Sequence, residues 1–131
     1  MLVHGTCNPV GEEEGYVGVY LSEKDIFDVV KSRDLEGKPV FMEHRGLQVG
    51  EVVSAWQFNG KLDVLVNIAD DDFTSRVAGT YVAAGCLRDF SLGYNVKASK
   101  SGIHSGKKML EVSLVKKGAR DDCHIKNYVC S

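Results

Sequence analysis

The sequence lacks most of the features that would place it in a functional class at once. Its 131 residues include only 2 prolines and 1 tryptophan, and no apolar run approaches a membrane span, which takes roughly 20 residues. Charge of one sign is lacking too. Lys and Arg number 16, Asp and Glu 18, giving a net charge of −2 and an isoelectric point near 6.1. A nucleic-acid binder normally carries a basic face, so no nucleic-acid partner is expected. The opening "MLVHGTCNPVGEEEG" has neither the basic flank nor the apolar core of a secretory signal. The four cysteines, Cys7, Cys86, Cys123 and Cys130, contain no C-x-x-C pair, so zinc-site spacing is missing. The one Cys-His neighbour pair, Cys123-His124, would point to opposite faces of a strand. The expectation is four free thiols in a reducing compartment, with no metal, cofactor or membrane. The common serine-hydrolase signatures, G-x-S-x-G and S-x-x-K, are absent as well.

What is present patterns as strand. At this length one domain, spanning 1–131, is expected. With 44% hydrophobic residues, it can bury a core without staples. "GYVGVYL" (15–21) is β-branched and aromatic, as strands are. "SEKDIFDVVKS" (22–32) predicts a helix. Ser22 is its N-cap, Asp25 closes a capping box, and Leu21 and Ile26 form a hydrophobic staple. "PVFM" predicts a buried strand ending at "EHRG". "VGEVVSAWQF" (49–58) and "KLDVLVNIA" (61–69) flank Asn59-Gly60, the strongest short hairpin signal. Leu62, Val64, Val66 and Ile68 alternate strictly. "DDFTSRVAGTYVAAG" (71–85) predicts a helix with Phe73, Val77, Tyr81 and Ala84 on one stripe and Gly85 at its end. "RDFSLGYNV" (88–96), "MLEVSLV" (109–115) and "CHIKNYV" (123–129) predict strands. Between them lie a polar loop at 97–107 and a turn at 116–122. About six strands and two helices make the fold class mostly β (α+β), a single β-barrel-like domain with a few surrounding helices.

Three residues invite a chemical reading, and each has a plainer one. His44 stands where a strand ends. It is either a half-buried histidine with an ordinary hydrogen bond or a general base. Ser91, in "DFSLGY", is most simply a structural strand serine. Gly93, two residues on, leaves room beside it for a substrate backbone. A serine nucleophile needs a base within reach, and the base needs a third group to fix its tautomer. Glu111, a carboxylate in an apolar strand, is a candidate. By alternation it reads first as a solvent-facing position sharing a face with Met109 and Ser113. The turn "KKGAR" (116–120) reads first as a solvated basic turn.

Taken together and in order, "GYVGVYL", "PVFMEHRGLQVGEVVSAW", "RDFSLGYNV" and "LEVSLVKKGAR" resemble the herpesvirus capsid-maturation serine proteases, the assemblins. The same blocks resemble the tailed-phage prohead proteases. "HRGLQVGEV" and the opening strand look more herpesviral, and "SLGY" followed by "EVSLV" more phage-like. The likeness covers about two thirds of the chain. It implies a serine endopeptidase acting by an acyl-enzyme, with His44 as general base, Ser91 as nucleophile and Glu111 as third member. It further implies that Gly118, Ala119 and Arg120 form the oxyanion side: Gly118 as the turn glycine, Ala119 as backbone donor and Arg120 as side-chain donor. Implied partners are a viral scaffold protein and the capsid shell protein, with self-cleavage and a possible homodimer. The implied place is the procapsid interior, in the host nucleus if herpesvirus-like and the bacterial cytoplasm if phage-like. The sequence departs from the herpesviral pattern twice. Glu111 stands where those enzymes have a second histidine, and most of their C-terminal helical region, through which they dimerise, has no counterpart. A catalytically inactive scaffold or capsid-binding module on the same fold is the alternative, and a cysteine hydrolase using Cys86 or Cys123 is a third.

Overall fold

The computed structural model describes residues 1–8, 11–13, 16–43, 45–98, 104–118 and 123–130. These form nine strands and two helices, in the order β1 (Leu2–Asn8), β2 (Gly11–Glu13), β3 (Tyr16–Leu21), α1 (Glu23–Ser32), β4 (Pro39–Met42), β5 (Gln48–Phe58), β6 (Lys61–Ile68), α2 (Phe73–Ala83), β7 (Asp89–Ala98), β8 (His104–Val115) and β9 (Ile125–Val129). Seven strands make one sheet, ordered β7-β8-β4-β5-β6-β1-β9, and β2 pairs with β3 apart from it. The sheet curls until its two edges meet. Phe90 N–H donates to the Cys123 carbonyl, Ile125 N–H to that of Arg88, and Thr6 N–H to that of His124. Residues 123–125 therefore stand between β7 and β1. This is the expected barrel-like, mostly β fold, and no described helix is long and apolar enough to cross a membrane.

The local signals explain the framework. Ser22 Oγ accepts from Asp25 N–H at 3.1 Å and Asp25 Oδ2 from Ser22 N–H at 2.9 Å, the reciprocal capping box that starts α1. Leu21 and Ile26 are both fully buried. Asn59 and Gly60 take φ of 50° and 73°, the left-handed pair of a tight hairpin turn whose twist matches its strands. Leu62, Val64, Val66 and Ile68 all enter the core. Pro39 has no N–H to give but opens its strand, where that loss is tolerated. β4 pairs antiparallel with β5 and parallel with β8.

Four expectations need correction. The buried stripe of α2 is Ser75, Ala78, Gly79 and Val82, while Phe73 and Tyr81 are exposed. Small residues let the helix lie close to the sheet, and the larger ones are turned away. The segment 97–107 is not all loop: β7 runs on to Ala98 and β8 begins at His104, with 99–103 outside the described residues. β1 and β2 had no sequence counterpart. Finally, Met109 does not share a face with Glu111. The β7–β8 register slips at Leu110, so Gly93 faces Glu111 but Tyr94 faces Met109. This bulge sends Met109 into the core and exposes Leu110.

One polar cluster outside the core bears on stability. Asp63 is buried and accepts from Thr6 Oγ1 at 2.7 Å, Lys126 Nζ at 2.8 Å and His4 Nε2 at 3.1 Å. The His4 ring stacks on Trp56. Burial raises the carboxyl pKa, but the bonds from Lys126, Thr6 and His4 outweigh it and hold it below the ordinary value. A depressed native pKa adds stability above the unfolded value, about 3.9 for Asp, and that stability is lost as pH falls through the native value. The urea midpoints of wild type and Asp63→Asn should therefore be well separated at neutral pH and converge below about pH 4. A constant gap from neutral pH into strong acid would show that Asp63 contributes no charge-dependent stability.

Candidate active site

β7 and β8 bring together most of the chemistry. Ser91 is directly opposite Ser113, Gly93 is opposite Glu111, and Phe41 of β4 pairs with Ser113 from the other side. Directly paired residues point to the same face of a sheet, so Ser91, Gly93, Glu111 and Ser113 share one. The opposite face carries Phe90, Val112 and Leu114 into the core. The rigid support beneath Ser91 is thus the barrel wall. Of the two opposed serines, Ser113 is fully buried whereas Ser91 is half-buried, so of the two only Ser91 is reachable from solvent.

Glu111 is not a free solvent-facing carboxylate. Its Oε2 accepts from Ser113 Oγ at 2.7 Å, and its side chain folds over Gly93, where an added Cβ would overlap Oε1. The space above Gly93, which sequence reasoning assigned to a substrate backbone, is therefore filled by Glu111. The missing Cβ lets the carboxylate lie flat beside the strand that carries Ser91.

His44, Ala119 and Arg120 lie outside the described residues, as do Asp121 and Asp122. The residues flanking His44 are described. Glu43 takes a positive φ of 56°, its N–H donates to the Leu114 carbonyl at 2.9 Å, and its Oε1 accepts from Lys116 N–H at 3.2 Å. The end of β4 is thereby tied to the end of β8. Strands β4 and β7 are both neighbours of β8, so Phe41 and Ser91 are two strand spacings apart, roughly 10 Å.

Gly118 is buried, and its N–H donates to Asp89 Oδ2 at 2.7 Å. That N–H is spent, so Gly118 shapes the turn rather than offering a donor. The other carboxylate oxygen, Oδ1, lies 2.8 Å from His124 Nδ1. Both residues border a cavity of about 600 Å³ shared with Leu87, Lys116 and Lys117. Sequence reasoning missed Asp89 and His124. The only available signal was a charged residue alternating with Ser91 and Gly93 in "RDFSLGY", and nothing along the chain links it to a histidine 35 positions away. None of the four cysteines is in a disulfide, and Cys7 and Cys123 are buried. Burial, with smaller effects from Cys123 and Asp63, pushes the Cys7 thiol well above its ordinary pKa, which makes it a poor nucleophile.

Neither a protein-family profile nor a curated protein matches the chain. Solved structures do. The Kaposi's sarcoma herpesvirus protease bound to a hexapeptide phosphonate inhibitor aligns at 22% identity with a TM-score of 0.67, over 91% of this chain and 60% of that one. The same protease with an allosteric inhibitor aligns at 22% identity and 0.61, over 95% and 74%. In complex with a dimer disruptor it aligns at 21% and 0.59, over 95% and 73%. The chain thus spans about 60% of the length of the first of these. At this identity the likeness is one of architecture, and the described barrel has the fold of a herpesvirus protease.

Proposed function

We propose that this protein is a serine endopeptidase of capsid maturation, cleaving an internal scaffold protein and itself. The observation that carries the reading is the shared face of Ser91, Gly93, Glu111 and Ser113 beside the end of β4, on a fold shared with a herpesvirus protease. In the mechanism, His44 takes the proton from Ser91 Oγ as that oxygen attacks the scissile carbonyl. The tetrahedral oxyanion is held by the Ala119 N–H and Arg120. Protonated His44 gives its proton to the leaving amine, which departs with the C–N bonding pair. Water, deprotonated by His44, then releases the acyl group and restores Ser91. Glu111 orients the imidazole and stabilises the imidazolium. The partners are the scaffold and capsid shell proteins, and the working place is the procapsid interior. A homodimer is also proposed, supported by the dimer disruptor bound to the herpesvirus neighbour.

A serine-directed fluorophosphonate tests the reaction class. The expected result is one covalent adduct, mapped by mass spectrometry to Ser91. An unlabelled protein that binds capsid shell protein would instead be a non-cleaving scaffold module, and an adduct on Cys86 or Cys123 would make it a cysteine hydrolase.

A further inference from the structure

We propose that Asp89 is a positioning residue of this site, its buried carboxylate clamping the base of the segment that carries the oxyanion donors onto the strand that carries the nucleophile. This rests on the serine endopeptidase reading above. Asp89 opens β7 two residues before Ser91 and is only 7% exposed. One oxygen accepts from Gly118 N–H at 2.7 Å, where the chain leaves β8, and the other meets His124 Nδ1 at 2.8 Å, where it returns. The main chain reinforces the arrangement. Arg88 N–H donates to the Val115 carbonyl, and the Arg88 carbonyl accepts from Ile125 N–H. Gly118 and His124, which flank 119–122, are therefore both held at the start of β7, and Asp89 supplies the side-chain part of the hold.

The consequence for catalysis follows from geometry. An oxyanion donor acts only if it is aimed beforehand at the charge that develops. The residue after Gly118 is the one to which the backbone donor is assigned. Fixing the Gly118 N–H fixes the peptide plane that precedes that donor. Because the hold originates on β7, Gly118 and Ser91 share one reference frame. Both carboxylate oxygens are engaged, one by Gly118 and the other by His124. His124 itself is mostly exposed, its side chain 64% accessible, and serves as the outer partner of the clamp.

The test uses the full chain with a scaffold-derived peptide. Asp89→Ala should lower kcat about 10²-fold, the order lost with one oxyanion donor, with KM within a few-fold of wild type. Fluorophosphonate labelling of Ser91 should slow in parallel, because that reaction also builds charge on an oxygen in the same site. Asp89→Asn should recover most of the rate. Its amide oxygen can accept from Gly118 N–H while its NH2 donates to neutral His124. His124→Asn should stay within a few-fold of wild type. The role is overturned if folded Asp89→Ala keeps wild-type kcat. Where Asp89→Ala does not fold, Asp89→Asn decides: wild-type melting with kcat down 10²-fold or more would overturn the clamp and assign the effect to charge. His124→Asn as inactive as Ser91→Ala would also overturn it, by making His124 and Asp89 the base pair itself. Wild type inert to both peptide and fluorophosphonate would bring down the endopeptidase reading and this role together. An active wild type with an unaffected Asp89→Ala would bring down this role alone.

Discussion

Ser91→Ala should abolish peptide cleavage and leave the barrel standing. The substitution removes one oxygen from a half-buried strand position whose backbone pairing with Ser113 is untouched, so the melting temperature should stay close to wild type. The loss in rate should be on the order of 10⁶, as when the nucleophile of a serine protease is removed. His44→Ala should match it, because nucleophile and base act as one unit and either loss disables both. The double variant should be no worse than either single one. The measurement is mass spectrometry of a scaffold-derived peptide incubated with each protein, alongside a thermal melt. A folded Ser91→Ala protein that cleaves at the wild-type rate would remove Ser91 from the mechanism. Additive losses in the double variant would separate His44 from it. The only other serine facing Ser91 across the ladder, Ser113, is fully buried and offers no ready substitute.

The parts of this fold that were legible in the sequence are those whose causes are local. The capping box at Ser22 and Asp25, the Asn59-Gly60 turn and the alternation of Leu62 to Ile68 each depend on residues a few positions apart. The structure forms them as read. What was not legible depends on distant partners. β1 lies between β6 and β9 and is defined by pairing that nothing in "LVHGTCN" announces. The burial of Asp63 needs His4, Thr6 and Lys126 from two other strands. In α2 the spacing of Phe73 and Tyr81 was helical, but the sheet selected the stripe of small residues that permits close approach. The bulge at Leu110 matters most for the site, because one extra residue moved Met109 to the face opposite Glu111. A period-two reading has no means of seeing that slip. The candidate residues Ser91 and Glu111 are legible in the order of blocks along the chain, whereas Asp89 stands out only with His124 and Gly118 against it.

Glu111→Gln should lower kcat by a factor between about 10² and 10⁴, the upper bound being the loss when the triad carboxylate of a serine protease becomes an amide. The carboxylate lies on the Ser91 face, bonded to Ser113 and folded over Gly93. Gln keeps the size and can still accept from Ser113, so packing should be unaffected. On the proposed mechanism it removes the charge that would stabilise the imidazolium and the acceptor that would select its tautomer. Gly93→Ala is an independent probe, since its Cβ would overlap Glu111 Oε1 and the flexible end of that side chain must give way. It should lose activity in the same direction although residue 111 is still a glutamate. Combined with Glu111→Gln it should add little, because both act on one contact. An ordinary strand carboxylate would give a Glu111→Gln enzyme within a few-fold of wild type, and that result would end the assignment. Asp121, Asp122 and His104 would then be the next third members to substitute. A large loss in Glu111→Gln with none in Gly93→Ala would place the requirement on the charge alone, not on the station the missing Cβ allows it to occupy.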